Sequence, residues 1–156
     1  MPHAFVTSKL DYCNSLLFGL PQNSLFRLKK VQNTAVRIIK RCRIQDNITP
    51  HLKSLHWLPV PLRIEFKISL LTFKAINGLA PTYLYDLLKF KKTSKSLRSE
   101  TNQELDIPRT RTTSYGDRAF SVCAPELWNS LPDEIRFETK LSVFKTKLKT
   151  HLFKQF

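Results

Sequence analysis

The sequence predicts a mainly α-helical chain: a small bundle of about six or seven helices joined by proline-rich connectors, with room for a short extended segment near 105–115. Three observations predict it. The chain has 156 residues, of which 42% are hydrophobic and 11 are Phe, a composition that supports a packed core in a chain of one-domain size. Only 3 residues are Gly, too few for the many positive-φ turns of an all-β fold. Apolar residues recur at three- and four-residue steps in windows set apart by some of the 9 Pro, and that is the period of one helical face. The chain is read as one helical domain, 1–156, with an exposed basic loop at 89–104.

The first helix, 4–17, places Val6, Leu10, Cys13 and Leu17 on one face, and Gly19 with Pro21 stops it. A second begins near Ser24 as N-cap and carries Leu25, Leu28, Val31, Ala35, Ile38 and Cys42 at helical spacing. Thr49 and Pro50 read as N-cap and first residue of a short helix through Leu55. Residues 56–61, with Trp57, Pro59 and Pro61, read as an extended apolar connector, because proline biases the residue before it away from the helical region. From Leu62 to Ile76 the apolar set covers most of a helix's circumference, which predicts a central helix packed on several sides. Asn77 and Gly78 end it, and Pro81 opens a short helix, 82–88, with Tyr83, Leu84, Leu87 and Leu88 inward. Leu105, Ile107 and a Thr-rich run favour an extended segment that Pro108 keeps out of a central strand. A helix over 118–128 contains Pro125, which kinks or splits it. The last helix, 140–153, places Leu141, Phe144, Leu148 and Leu152 on one face.

Charge points to partners. Lys and Arg number 26 against 12 Asp and Glu, a net charge of +14. The surplus falls in three regions with few local acids. The second helix and the residues after it carry Arg27, Lys30, Arg37, Lys40, Arg41 and Arg43; the 89–104 loop carries Lys91 and Lys92 together with Lys95 and Arg98; the last helix carries Lys145 and Lys149. A Lys-rich helix face is usually only a solvated face, but three such regions in one small chain favour the phosphate backbone of RNA or DNA, bound with little sequence preference and strong salt dependence. These ten residues, from Arg27 to Lys149, are the candidate contacts. Arg37, Lys40 and Arg41 together are expected to outweigh any single aromatic. Trp57 and Trp128, each flanked by Leu, read as core rather than base-stacking residues.

Other chemistry is not expected. There is no Asp-Asp pair for two-metal polymerase chemistry, and the adjacent acids Asp133 and Glu134 follow Pro132 where a helix start needs negative charge. No Gly-rich loop precedes a Lys-Ser or Lys-Thr pair. Cys13, Cys42 and Cys123 lack the paired spacing of a zinc site, and His3, His51, His56 and His151 are scattered, so neither metal nor cofactor is predicted. The odd, widely spaced thiols read as buried small hydrophobes in a reducing intracellular compartment, cytoplasmic or nuclear. Neither a membrane span nor a secretory signal in residues 1–10 is expected.

Several runs are more specific than these patterns: SKLDYCNSLL at 8–17, VQNTAVR at 31–37, SLHWLPV at 54–60, RIEFK at 63–67, NGLAPTYL at 77–84, PRTR at 108–111, YGDRAFSV at 115–122 and PELWNSLP at 125–132. In content and order the chain resembles the C-terminal, post-palm region of polyproteins of jockey-like non-LTR (LINE-type) retrotransposons. The resemblance implies a fragment of an RNA-directed DNA polymerase without its endonuclease or reverse transcriptase, starting abruptly at Met1. It implies a helical thumb-side region that helps hold template RNA and target DNA, and carries over no catalytic residue. The expectation is a non-catalytic nucleic-acid-binding module. The alternative is an inert structural remnant that needs the missing polymerase domain to fold or function.

Overall fold

A computed structural model describes residues 2–91, 103–112 and 114–156. Lys92, Lys95 and Arg98 of the predicted basic loop, and Thr113, lie outside the described residues. The chain is mainly helical, with no strand among the described residues. In order it forms α1 (Pro2–Asp11), a 3-10 turn (Asn14–Leu17), α2 (Gln22–Lys40), α3 (Ile48–Ser54), α4 (Val60–Ile76), α5 (Thr82–Asp86), α6 (Phe120–Asn129), α7 (Asp133–Arg136) and α8 (Leu141–Lys154). The sequence reading treats the chain as one domain; by its contacts it divides into two compact units, residues 1–67 with 150–156, and residues 68–149.

In the first unit, α2 packs against α1 and α3. The predicted 4–17 helix is interrupted at Cys13, which takes a left-handed φ of 50°. That break changes the helical phase, so Thr7, Leu10 and Asn14 are buried while Cys13 is exposed. Helix α2 starts at Gln22, capped by Pro21, and Ser24 lies inside its first turn. Its buried residues are Leu25, Gln32, Ala35 and Val36, whereas Val31 and Ile38, predicted inward, are 54% and 70% exposed. Gln32 accounts for the rotated face: its Nε2 donates to the Leu58 carbonyl at 2.8 Å, and a buried amide with a partner costs far less than one without. Ala35 and Val36 form a core with Leu52 and Trp57, against which Val6, Ile39, Ile48, Leu55 and Phe156 pack.

Asn47, not Thr49, caps α3, its Oδ1 accepting the Thr49 N–H, and Pro50 falls within the first turn, where no intrahelical N–H is required. The far end of α3 closes as a Schellman motif. His56 takes a φ of 55°, its N–H donates to the Lys53 carbonyl, and the Trp57 N–H reaches back to the Leu52 carbonyl, both at 3.0 Å. Leu52 and Trp57 then meet in the core, the apolar contact that accompanies this cap. The predicted extended connector is therefore shorter: Val60 and Pro61 belong to α4, where Pro is tolerated in the first turn. Arg63 ties the unit together, donating to both Asp11 carboxylate oxygens at 2.8 and 3.0 Å and to the Leu58 carbonyl, with its guanidinium 5.9 Å from the Trp57 ring centre. Every residue of α4 is buried or half-buried, as the apolar circumference predicts.

In the second unit, Gly78 at φ 68° ends α4 in another Schellman motif, with bonds from Gly78 N–H to Ala75 O and from Leu79 N–H to Lys74 O. No atom lies within 4 Å of a Cβ built there, so the backbone angle alone calls for glycine. Helix α5 is a correction: of the four side chains predicted inward only Leu88 is buried, and Tyr83 and Leu87 are exposed. A helix of five residues has little more than one turn with which to cover a face. Helix α6 runs unbroken through the buried Pro125. It holds the segment before it in place. Trp128 Nε1 donates to the Gln103 carbonyl, and the Asn129 amide bonds both the N–H and the carbonyl of Leu105. That segment is extended only as far as one antiparallel bridge between Phe90 and Leu105. The core stacks Phe73 on Phe144, ring centres 4.1 Å apart, with Trp128 at 6.0 Å from Phe144. Phe144, Leu148 and Leu152 are buried on α8 as predicted, with Leu141 half-buried.

Candidate nucleic-acid interface

Helix α2 contains no acidic residue. Its cations at 27, 30 and 37 follow the three- and four-residue steps that place side chains on one helical stripe, with Thr34 between them. From Arg27 to Arg37 this stripe is about 15 Å long at a rise of 1.5 Å per residue, and Arg41 stands just past the helix end. Arg27, Lys30, Lys40, Arg41 and Arg43 are exposed. Arg37 differs from them. It is half-buried, its Nη2 donates to the Ile44 carbonyl at 3.1 Å, and its Nε is buried without a partner. Arg37 therefore holds the loop after α2, so it is a weaker candidate contact than its neighbours. Arg41 sits in the left-handed region at φ 52° and caps the helix, while the Cys42 N–H donates to the Arg37 carbonyl. Cations here also suit the negative end of the helix dipole. Exposed Val31 and Ile38 lie among the basic positions. Read as core from their spacing, they are the site residues that periodicity alone misplaces, since it cannot tell which of two adjacent faces is covered.

The other two basic regions belong to the second unit. Lys91 is exposed but bonded to Glu104 at 3.2 Å, and Lys92 lies outside the described residues. Lys145 and Lys149 stand four apart on exposed positions of α8. Between them, Lys147 bonds Glu138 at 2.8 Å and the Glu134 carbonyl at 3.2 Å. That bond, with the backbone N–H of Lys140, holds the Glu138 carboxyl below its ordinary range. Among the described residues of the three regions, α2 has the longest run of cations without a carboxylate partner.

The adjacent acids behave as a helix start: Asp133 and Glu134 fill the first turn of α7, and Asp133 pairs with the buried Arg136. Trp57 and Trp128 are both in the core. The cysteines divide. Cys123 is buried as predicted, Cys42 half-buried and Cys13 exposed. Burial, followed by the nearby Glu126 carboxylate, pushes the Cys123 thiol up to about 11. One grouping invisible in the sequence pattern is Cys42, Asp46 and His51, whose ligand atoms lie within 4.8 Å of one another. No helix is long and apolar enough to cross a membrane among the described residues. Comparison with protein-family models, curated proteins and solved structures finds no match to this chain.

Proposed function

We propose that this chain is a non-catalytic, helical nucleic-acid-binding module that engages RNA or DNA through the phosphate backbone. The observation that carries the reading is the run of cations on α2, where exposed Arg27 and Lys30 lie on the helix and exposed Arg41 at its C-cap, with no carboxylate in the helix. Contacts of this kind position a protein on nucleic acid without reading its bases. The resemblance to the post-palm region of LINE-type polyproteins supports the same reading, since a thumb-side module holds template RNA and target DNA while another domain performs the chemistry. Fluorescence anisotropy with single-stranded RNA, duplex DNA and an RNA–DNA hybrid, each over a salt series, tests it. All three are expected to bind at low salt, and affinity falls as salt rises. Changing Arg27, Lys30 and Arg41 together to Gln lowers the slope of log K against log salt by about 2–3, at 0.7–0.9 per phosphate contact. Binding that ignores salt, or an unchanged slope in the triple variant, overturns the proposal.

Exposed Leu79, Tyr83, Leu87 and Phe90 around α5 favour a second reading, a structural piece of a larger polymerase that is incomplete alone. Strong binding of a hydrophobic dye and broad, non-cooperative unfolding are its expected signs; a sharp transition without dye binding counts against it.

A further inference from the structure

The connection between α2 and α3 brings together three ligating side chains that the basic stripe does not use. Cys42 Sγ, an Asp46 carboxylate oxygen and a His51 ring nitrogen all lie within 4.8 Å of one another. Each is held by a different local feature. The Cys42 N–H is tied to the Arg37 carbonyl at the end of α2. Asp46 Oδ2 accepts the Arg43 N–H at 2.6 Å. His51 lies on α3, whose start is set by the Asn47 cap. The bond from Arg37 to the Ile44 carbonyl holds the intervening loop.

We propose that Cys42, Asp46 and His51 bind a zinc ion, with water as the fourth ligand. Thiolate, imidazole and carboxylate together suit a borderline cation such as zinc, whereas magnesium and calcium take oxygen ligands. Around a tetrahedral zinc, bonds of about 2.0–2.3 Å put ligand atoms roughly 3.3–3.7 Å apart. Rotation of the three side chains, closing the separations by about 1 Å, meets that geometry. Cys42 and His51 are half-buried and Asp46 is exposed, which leaves an entry path for the ion. The thiolate and carboxylate cancel its charge, so a neutral centre forms beside Arg41 and Arg43. The Arg43 N–H on Oδ2 fixes the carboxylate, as an outer-shell donor does. The spacing i, i+4, i+9 matches no paired-cysteine pattern; the loop turning back from α2 to α3 creates the site.

The test titrates the reduced full chain with cobalt(II) and follows absorbance, then displaces cobalt with zinc. One ion per chain is expected, with thiolate-to-cobalt charge transfer in the near ultraviolet, intense tetrahedral bands in the visible, and an increase in melting temperature of about 4 °C or more on adding zinc. Cys42→Ser, Asp46→Asn and His51→Gln each weaken binding at least about tenfold, and Cys13→Ser leaves it unchanged. Melting of each metal-free variant verifies its fold, and His51→Gln keeps the test decisive should Cys42→Ser be unstable. Absence of the charge-transfer band, bands that persist in Cys42→Ser, or affinity unaltered in His51→Gln overturns the proposal.

Discussion

At the scale of single residues, side-chain type did not decide role. Arg63, Arg136 and Arg37 carry the same side chain as Arg27, yet Arg63 anchors Asp11, the buried Arg136 pairs with Asp133, and Arg37 bonds a loop carbonyl. The thiols diverge in the same way, and Cys123 gives a pH-dependent prediction. Burial and Glu126 raise its thiol from the ordinary 9.0 to about 11, so the folded chain keeps the proton that the unfolded chain releases. This contribution is complete below pH 9 and is lost as pH rises toward 11. Urea unfolding of wild type and Cys123→Ala at pH 8.5 and 10.5 measures it: wild type is expected to lose about 1–2 kcal/mol more than the variant across that interval. Equal losses would remove the buried thiol from the account.

At the scale of elements, chain termination separates what is local from what is not. Among the described residues, four α-helices end through a left-handed residue, Cys13, Arg41, His56 and Gly78, and glycine makes only the last one legible in sequence. An arginine held at φ 52° carries a backbone cost that glycine does not. Arg41→Gly is therefore expected to stabilise the chain by about 0.5–1 kcal/mol in urea unfolding, while lowering nucleic-acid affinity and its salt slope by roughly one contact. Lower stability of Arg41→Gly would overturn the backbone-cost account, and unchanged affinity would remove Arg41 from the contact surface. The two faces of α2 teach the same lesson. Periodicity identifies the helix, but Gln32 bonded to Leu58 decides which side is buried.

At the scale of the whole molecule, the net charge of +14 already counts every carboxylate, and ion pairs such as Lys91–Glu104 and Lys147–Glu138 add little local compensation at the surface. Self-repulsion of this surplus opposes folding. Raising ionic strength from 0.01 to 0.15 M shortens the screening length from about 30 to 8 Å and is expected to increase the melting temperature by a few degrees. Inorganic polyphosphate at low salt is expected to raise it further, because an anion that binds only the folded surface adds its binding free energy. A melting temperature that drops with salt over this range contradicts the first expectation, and one unmoved by polyphosphate contradicts the second.

The sequence by itself determined the helical class, the apolar wrap of α4, the buried face of α8, the stop at Gly78 and the concentration of cations on α2. Each depends on neighbours within about four residues, where a helix's own period does the placing. Only the tertiary structure decided that Gln32 is core and Val31 surface, that Arg37 is tied to its loop, that α5 leaves Tyr83 outside, and that Cys42, Asp46 and His51 meet. Those outcomes depend on where a loop turns and which carbonyl a buried amide finds, and contacts made across a turn or between separate elements have no period to betray them.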